Sequence, residues 1–254
     1  MAQKSVLSPS QTPELRKYDP FPYYEETVIE STQHFAVNQY LQYALEEFFR
    51  DQPEVFVGAN NFLYWDPKSK KKKQSPDVYV CFGVPKGYRR SYKVWMENGV
   101  VPQVIFEITS TSSRLLDQGT KKATYEMLGV EEYYTFDPFG EYIPDKLRAF
   151  RNQHRTLKEL KGKRIHSARL GLDLRVEGEM LRLFLPGSSV RLLTYQEAQQ
   201  ARAEAERAQA KAEQAQKQAE QAQKDTERAR AELEARNQLL ERELEALKRR
   251  LGSP

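Results

Sequence analysis

Ser75-Pro76-Asp77-Val78-Tyr79-Val80 and Pro102-Gln103-Val104-Ile105-Phe106-Glu107-Ile108-Thr109-Ser110 are the two runs whose reading decides the fold. Both are short β-branched and aromatic segments bounded by Pro, Gly and Ser, the pattern of strands. Each carries one carboxylate. Val104, Ile105, Phe106 and Ile108 surround Glu107 in a run that reads as buried on both faces. An unpaired carboxylate there costs several kcal/mol, so it is expected to be paired, protonated or bound to a metal. Asp77 opens the neighbouring strand, and Lys121 follows on a segment with helical spacing. Two acids and a lysine suit a site that holds a divalent cation and stabilises a phosphoryl transition state.

Leu115, Leu116, Tyr125, Met127 and Leu128 fit a helix ending at Gly129, with Thr109 to Ser113 supplying N-cap candidates. Asp117 and Lys121 are four apart and share a face, so an ordinary helix ion pair is the alternative use of that lysine. Lys122 points about 100° away from Lys121 around the helix, so one of the two is expected to face the site. The run Tyr133 to Phe136 reads as the next strand, ended by Asp137-Pro138, with Asp137 a turn-former. Upstream, Phe35, Val37, Tyr40, Leu41, Ala44, Leu45, Phe48 and Phe49 recur at helical spacing behind Ser31 or Thr32 as N-cap, and His34 sits in the first turn. Val55 to Val57, Asn61 to Trp65, Lys146 to Arg151, Leu170 to Val176 and Met180 to Leu185 read as further strands. His154 and His166 lie in basic, loop-rich sequence and read as surface residues.

Pro76-Asp77, Glu107-Ile108-Thr109-Ser110, Lys121-x-x-x-Tyr125 and Gly129-Val130-Glu131-Glu132-Tyr133-Tyr134, in that order, resemble the Uma family of putative restriction endonucleases, within the PD-(D/E)xK nuclease superfamily. The likeness runs from about Tyr24 to Gln196. It implies an α/β fold, a restriction-endonuclease-like mixed sheet flanked by helices, and Mg²⁺-dependent (or Mn²⁺-dependent) hydrolysis of DNA. By the same resemblance Asp77, Glu107 and the carbonyl of Ile108 would hold the metal, and Asp77, Glu107 and Lys121 would be catalytic. Tyr125, one turn from Lys121, would support that lysine or contact the nucleic acid backbone, and His34 is either a surface or partly buried histidine or a side chain that the first helix lends to the metal site. Thr109 stands where the superfamily motif has its lysine, and Lys121 is the matching lysine from the next helix.

Two basic stretches are candidates for the nucleic acid backbone. Lys70, Lys71, Lys72 and Lys73 form a turn just before Asp77, which is either a solvated loop or a phosphate-neutralising patch. Lys86 to Trp95 interleaves basic and aromatic residues, with Arg89 and Arg90 placed to meet phosphates, or its aromatics cover the sheet edge.

Composition divides the chain. After Tyr195 there is no aromatic residue and no proline before Pro254. From Glu197 onward 12 basic and 12 acidic residues balance, so the net charge of +4 belongs to the first part. The expected organisation is a leader over 1–22, a nuclease-like domain over 23–194 and a coiled coil over 195–251. Ala198, Ala201, Ala205, Ala208, Ala212, Ala215, Ala219 and Ala222 form a heptad seam; Leu233, Leu240, Leu244, Leu247 and Leu251 take over with Asn237 in an a-like position, joined by a stutter. The tail is expected to pair chains as a homodimer or higher oligomer, with Asn237 helping to set register; the alternative is an isolated solvated helix.

Cys81 is the only cysteine, so neither an internal disulfide nor a cysteine metal cluster can form, and it reads as a small buried hydrophobe. No secretory signal pattern and no apolar run of about 20 residues occurs, which points to a cytoplasmic protein without a membrane span. The absence of G-x-x-x-x-G-K-S/T argues against a nucleotide cofactor. The alternative to an enzyme is a catalytically silent, nuclease-like DNA-binding or assembly protein.

Overall fold

Ser31 starts the first helix as a side-chain cap: its hydroxyl accepts the His34 N–H at 3.1 Å, and α1 runs Thr32–Phe48. The computed structural model describes residues 31–109, 115–162 and 164–252; the expected leader and the cap candidates Ser110 to Ser113 lie outside the described residues, as does the side chain of Asp117. In chain order the strands are β1 Val55–Ala59, β2 Leu63–Tyr64, β3 Lys73–Gln74, β4 Val78–Phe82, β5 Tyr92–Lys93, β6 Val104–Ile108, β7 Glu132–Phe136, β8 Leu147–Gln153, β9 Thr156–Leu160, β10 Ile165–Ser167, β11 Leu172–Glu177 and β12 Met180–Phe184. The second helix, α2, spans Leu115–Leu128 between β6 and β7, and α3 spans Tyr195–Leu251.

The main sheet has the order β1-β4-β6-β7-β8-β9. It is mixed: β6 and β7 are parallel and every other neighbouring pair is antiparallel. A parallel pair needs a crossover, and α2 supplies it. Strands β6 and β7 are buried at every position. Because side chains alternate, one face sends Val55, Val57, Val78, Val80, Val104 and Phe106 against Val37, Leu41 and Leu45 of α1. The other face packs Phe56, Tyr79, Cys81, Ile105 and Tyr133 with Tyr125 of α2. Cys81 is fully buried, as expected, and burial pushes its thiol up to about 12.

A second sheet, β10-β11-β12, adds Leu172, Leu174, Leu181 and Leu183 to the core on the α1 side. This is the β-rich edge anticipated after residue 146, with two strands more than periodicity gave. β9 has one fully buried position and β10 only three residues, so neither shows an apolar run. A third small sheet, β3-β2-β5, shortens the expected strand over Asn61 to Trp65 to Leu63–Tyr64 and takes Tyr92–Lys93 out of the basic-aromatic segment.

Two local devices hold the sheet margins. Gly58 lies opposite Tyr79, and a Cβ there would fall 2.2 Å from the Tyr79 ring, whose hydroxyl donates to Asn61 Oδ1 at 2.7 Å. Asp137 is the turn-former its sequence suggests: Oδ1 accepts from the Phe139 and Gly140 N–H groups and Oδ2 from those of Tyr142 and Ile143.

The described chain divides after Tyr195. The second unit is one helix, with Glu197 in its first turn and Lys248, Arg249 and Arg250 in its last, the arrangement the helix dipole favours. No helix among the described residues is long and apolar enough to cross a membrane.

Candidate active site

Asp77 and Glu107 arrive as neighbours because two antiparallel strands carry them. Val78 pairs with Phe106, and continuing that register by one residue sets Asp77 opposite Glu107. Like charges on one rung repel, so the placement demands compensation.

Asp77 is held from three directions. Its Oδ2 accepts the Ile108 main-chain N–H at 2.6 Å, and its Oδ1 lies 3.2 Å from His34 Nε2 in the first turn of α1. The main chain is fixed from below: Asn60, in the left-handed region at φ 49°, directs its N–H at the carbonyls of Pro76 and Asp77, both at 3.2 Å. Asn60 Oδ1 in turn accepts from Asn38, buried one turn beyond His34 on α1. The side chains of His34 and Asn38 thus secure the same aspartate, one at its carboxylate and one through the backbone corner.

Glu107 is 6 % exposed and has both oxygens engaged. Lys121 Nζ lies 2.8 Å from Oε2, and the Tyr125 hydroxyl donates to Oε1 at 2.6 Å. Lys122 turns away and pairs with Glu126 at 3.2 Å, so Lys121 is the lysine that faces the acids. Burial raises the Glu107 carboxyl; Lys121 opposes that rise, the Asp77 charge adds to it, and the group titrates at about 7. Burial, followed by the Glu107 charge, holds the Tyr125 phenol well above its ordinary value, so it stays protonated and donates. Thr109 explains why the strand itself supplies no lysine: it is buried, and its N–H and hydroxyl both donate to the Phe136 carbonyl of β7.

The donor set fits a hard divalent cation. Two buried carboxylates raise one another's cost of ionisation, and a doubly charged ion relieves that repulsion. Among the described residues no three His, Cys, Asp or Glu side chains converge as a metal cluster. An ion here would therefore rest on two carboxylates and main-chain oxygen with water completing its shell, which suits Mg²⁺ better than an all-protein cage.

The basic candidates fall into two groups. Lys70 and Lys71 are exposed in the turn before β3, whereas Lys72 pairs with Asp66 at 2.9 Å and Lys73 lies 3.5 Å from the centre of the Phe62 ring. Arg89 is tied down, with Nε 2.6 Å from Glu97, further bonds to the carbonyls of Pro85 and Gly87, and its guanidinium over Phe56. Lys86 clips the carbonyls of Phe49 and Arg50, while Tyr88 and Arg90 are exposed. So part of this segment covers the sheet margin and part is open.

Asn38 and Asn60 escaped sequence reasoning. The available signal was an amide on the buried stripe of α1, four residues after His34. Glu132 escaped too: it is a further buried acid, bound by Tyr134, Ser167 and the Ala168 N–H, with Arg151 3.4 Å away, and it ties β7 to the end of β10 and the residue after it.

A family model, Uma2, described as "Putative restriction endonuclease", matches residues 8–192. No curated protein matches the chain. Among solved structures the chain is similar to a putative nuclease belonging to DUF820 from Anabaena variabilis ATCC 29413, with a TM-score of 0.44 and 10% identity over 57% of this chain and 78% of that one.

Proposed function

This chain belongs to the Uma2 family of putative restriction endonucleases, and from that premise we propose that it is a metal-dependent endonuclease hydrolysing phosphodiester bonds of DNA. The observation that carries the proposal is the juxtaposition of Asp77 and Glu107 on adjacent strands with Lys121 2.8 Å from Glu107. A purely structural module gains nothing from burying two facing acids, since replacing such groups with apolar residues is often neutral or stabilising.

Asp77, Glu107 and the Ile108 carbonyl would hold Mg²⁺ or Mn²⁺, which when bound supplies an activated water and neutralises charge on the scissile phosphate. His34 and the Ile108 N–H keep the Asp77 carboxylate in one orientation. Tyr125 does the same for Glu107. Lys121, the cation nearest the acids and 19 % exposed, stabilises charge on the phosphate or orients the attacking water. Lys70 and Lys71, and Arg90 at the surface beyond them in sequence, are exposed and would meet backbone phosphates, which predicts binding that weakens with salt. The tail joins copies of the chain through its alanine and leucine seams.

The test is cleavage of supercoiled plasmid and of single-stranded DNA with Mg²⁺ or Mn²⁺. Cleavage should require metal and be lost in Glu107→Ala and Lys121→Ala proteins that remain folded. Loss with Glu107→Ala alone moves the lysine role elsewhere. A wild type that binds DNA and cuts nothing with either metal overturns the enzyme in favour of an assembly protein.

A further inference from the structure

The leucine end of α3 exposes Leu233, Leu240, Leu244 and Leu247 by 53 to 63 % each, at steps of seven, four and three residues, with Asn237 completing the stripe. Writing Asn237 and Leu244 as heptad position a places Leu233, Leu240 and Leu247 at d. The flanking g positions are then Arg236 and Glu243, and the flanking e positions are Glu241 and Lys248. Charge on this helix sorts by face. The ion pairs Arg228 with Glu232 and Glu245 with Arg249 lie at outer b, c and f positions. Arg236, Glu241, Glu243 and Lys248 form no ion pair within the helix, among the described residues.

Those four charges discriminate between the two ways of pairing the stripe with a second copy. In a parallel pair in register, each g residue meets the e residue five positions on in the partner. Arg236 then faces Glu241 and Glu243 faces Lys248, both attractive and both repeated by symmetry. Asn237 meets Asn237 across the axis, where two amides bond each other. An antiparallel pair that keeps the leucines together sets Asn237 against Leu247, Glu241 against Glu241, Glu243 against Glu243 and Arg236 against Arg250, leaving only Glu234 and Lys248 to attract. We propose that the Leu233 to Leu247 stripe pairs with a second copy of this chain as a parallel, in-register dimer whose alignment is set by Asn237, Arg236–Glu241 and Glu243–Lys248. The proposal rests on the self-association reading above and adds its orientation, which brings two copies of the globular unit out of the same end of the coiled coil.

The experiment uses the full chain, with sedimentation of wild type to give the oligomer and mild oxidation of Leu247→Cys, at a seam position d, to report on orientation. Wild type is the control, since its Cys81 is buried. In the parallel dimer the two introduced thiols meet across the seam and a cross-linked dimer forms; in the antiparallel one each lies opposite Asn237 and they stand about 15 Å apart, beyond any disulfide. A dimer without cross-linking overturns the orientation and leaves self-association standing, whereas a monomer overturns both. Charge reversal gives the second arm. Arg236→Glu should loosen the dimer roughly tenfold at low salt and Glu241→Arg together with it should restore the affinity. Tightening by Arg236→Glu alone, which would now face Arg250, is the antiparallel result and overturns the proposal.

Discussion

With a chelator present, Glu107→Gln should make the protein more stable at alkaline pH, and it should remove the DNA cleavage proposed above. The folded carboxyl titrates at about 7, against about 4.3 in an unfolded chain. Because the folded value is the higher one, the stability linked to that proton is fully present below about pH 4 and is lost as pH rises through about 7. Converted at 1.36 kcal/mol per pH unit, the gap amounts to roughly 4 kcal/mol over the whole range, most of it between about pH 5 and about pH 8. Glutamine is neutral throughout and escapes this loss. Its amide must find an acceptor and Lys121 loses its partner, but neither effect requires a proton in this range, and Lys121 keeps enough exposure to be hydrated. The stability of the variant minus that of wild type should therefore climb by about 2 to 3 kcal/mol from about pH 5 to about pH 8. Urea unfolding followed by tryptophan fluorescence, with a chelator present, measures it. Trp65 and Trp95 are the only tryptophans, so the signal reports on the globular unit and not on α3. Two stability curves that run parallel across the range would refute the burial argument for Glu107. Adding Mg²⁺ should then raise the stability of wild type alone, in proportion to ligand excess over its dissociation constant.

Tyr125→Phe removes the hydroxyl that donates to Glu107; hydrogen bonds to charged groups are worth about 1.5 to 3 kcal/mol, so stability at about pH 8 should fall by that order with little change near pH 5, and urea titrations at both values check it. Gly58→Ala forces a Cβ against the Tyr79 ring; overpacking of this kind costs about 1 to 3 kcal/mol, and an unchanged melting temperature would contradict the contact. Asp137→Ala strips four main-chain N–H groups of their acceptor; the loop after β7 should lose amide-exchange protection and the domain at least about 2 kcal/mol, measured by hydrogen exchange and denaturant titration.

Glu107 was legible because it violates its surroundings, whereas Asp77 and Lys121 took their meaning from the ordered set of motifs that resembles the family. Glu107 is a charge inside an apolar run; helix geometry said only that Lys121 and Lys122 must point apart, and the resemblance chose between them. The α1 cap, the buried Cys81 and the Asp137 turn follow from equally local rules. β9 and β10 were not legible, since Thr156 to Leu160 carries two adjacent charges, Lys158 and Glu159, which break any apolar alternation, and gains its place by pairing with β8, a tertiary effect that no window of sequence contains. Asn38 and Asn60 were hidden for a related reason: their meaning lies in a contact across 22 residues. The basic segment Lys86 to Trp95 looked uniform in sequence, but Glu97 and two loop carbonyls claim Arg89 while Arg90 remains at the surface.

The acids sit on one rung of an antiparallel ladder, where opposed α-carbons stand about 4.5 to 5.5 Å apart. Their spacing is accordingly a property of the peptide backbone, a ruler whose graduations are hydrogen bonds. The lysine rides on a separate element, the crossover helix. Cation and anions are therefore adjustable independently: a one-turn slide of α2 would retune the lysine's reach without disturbing the gauge between the acids, whereas a one-residue slip of β4 against β6 would erase that gauge altogether.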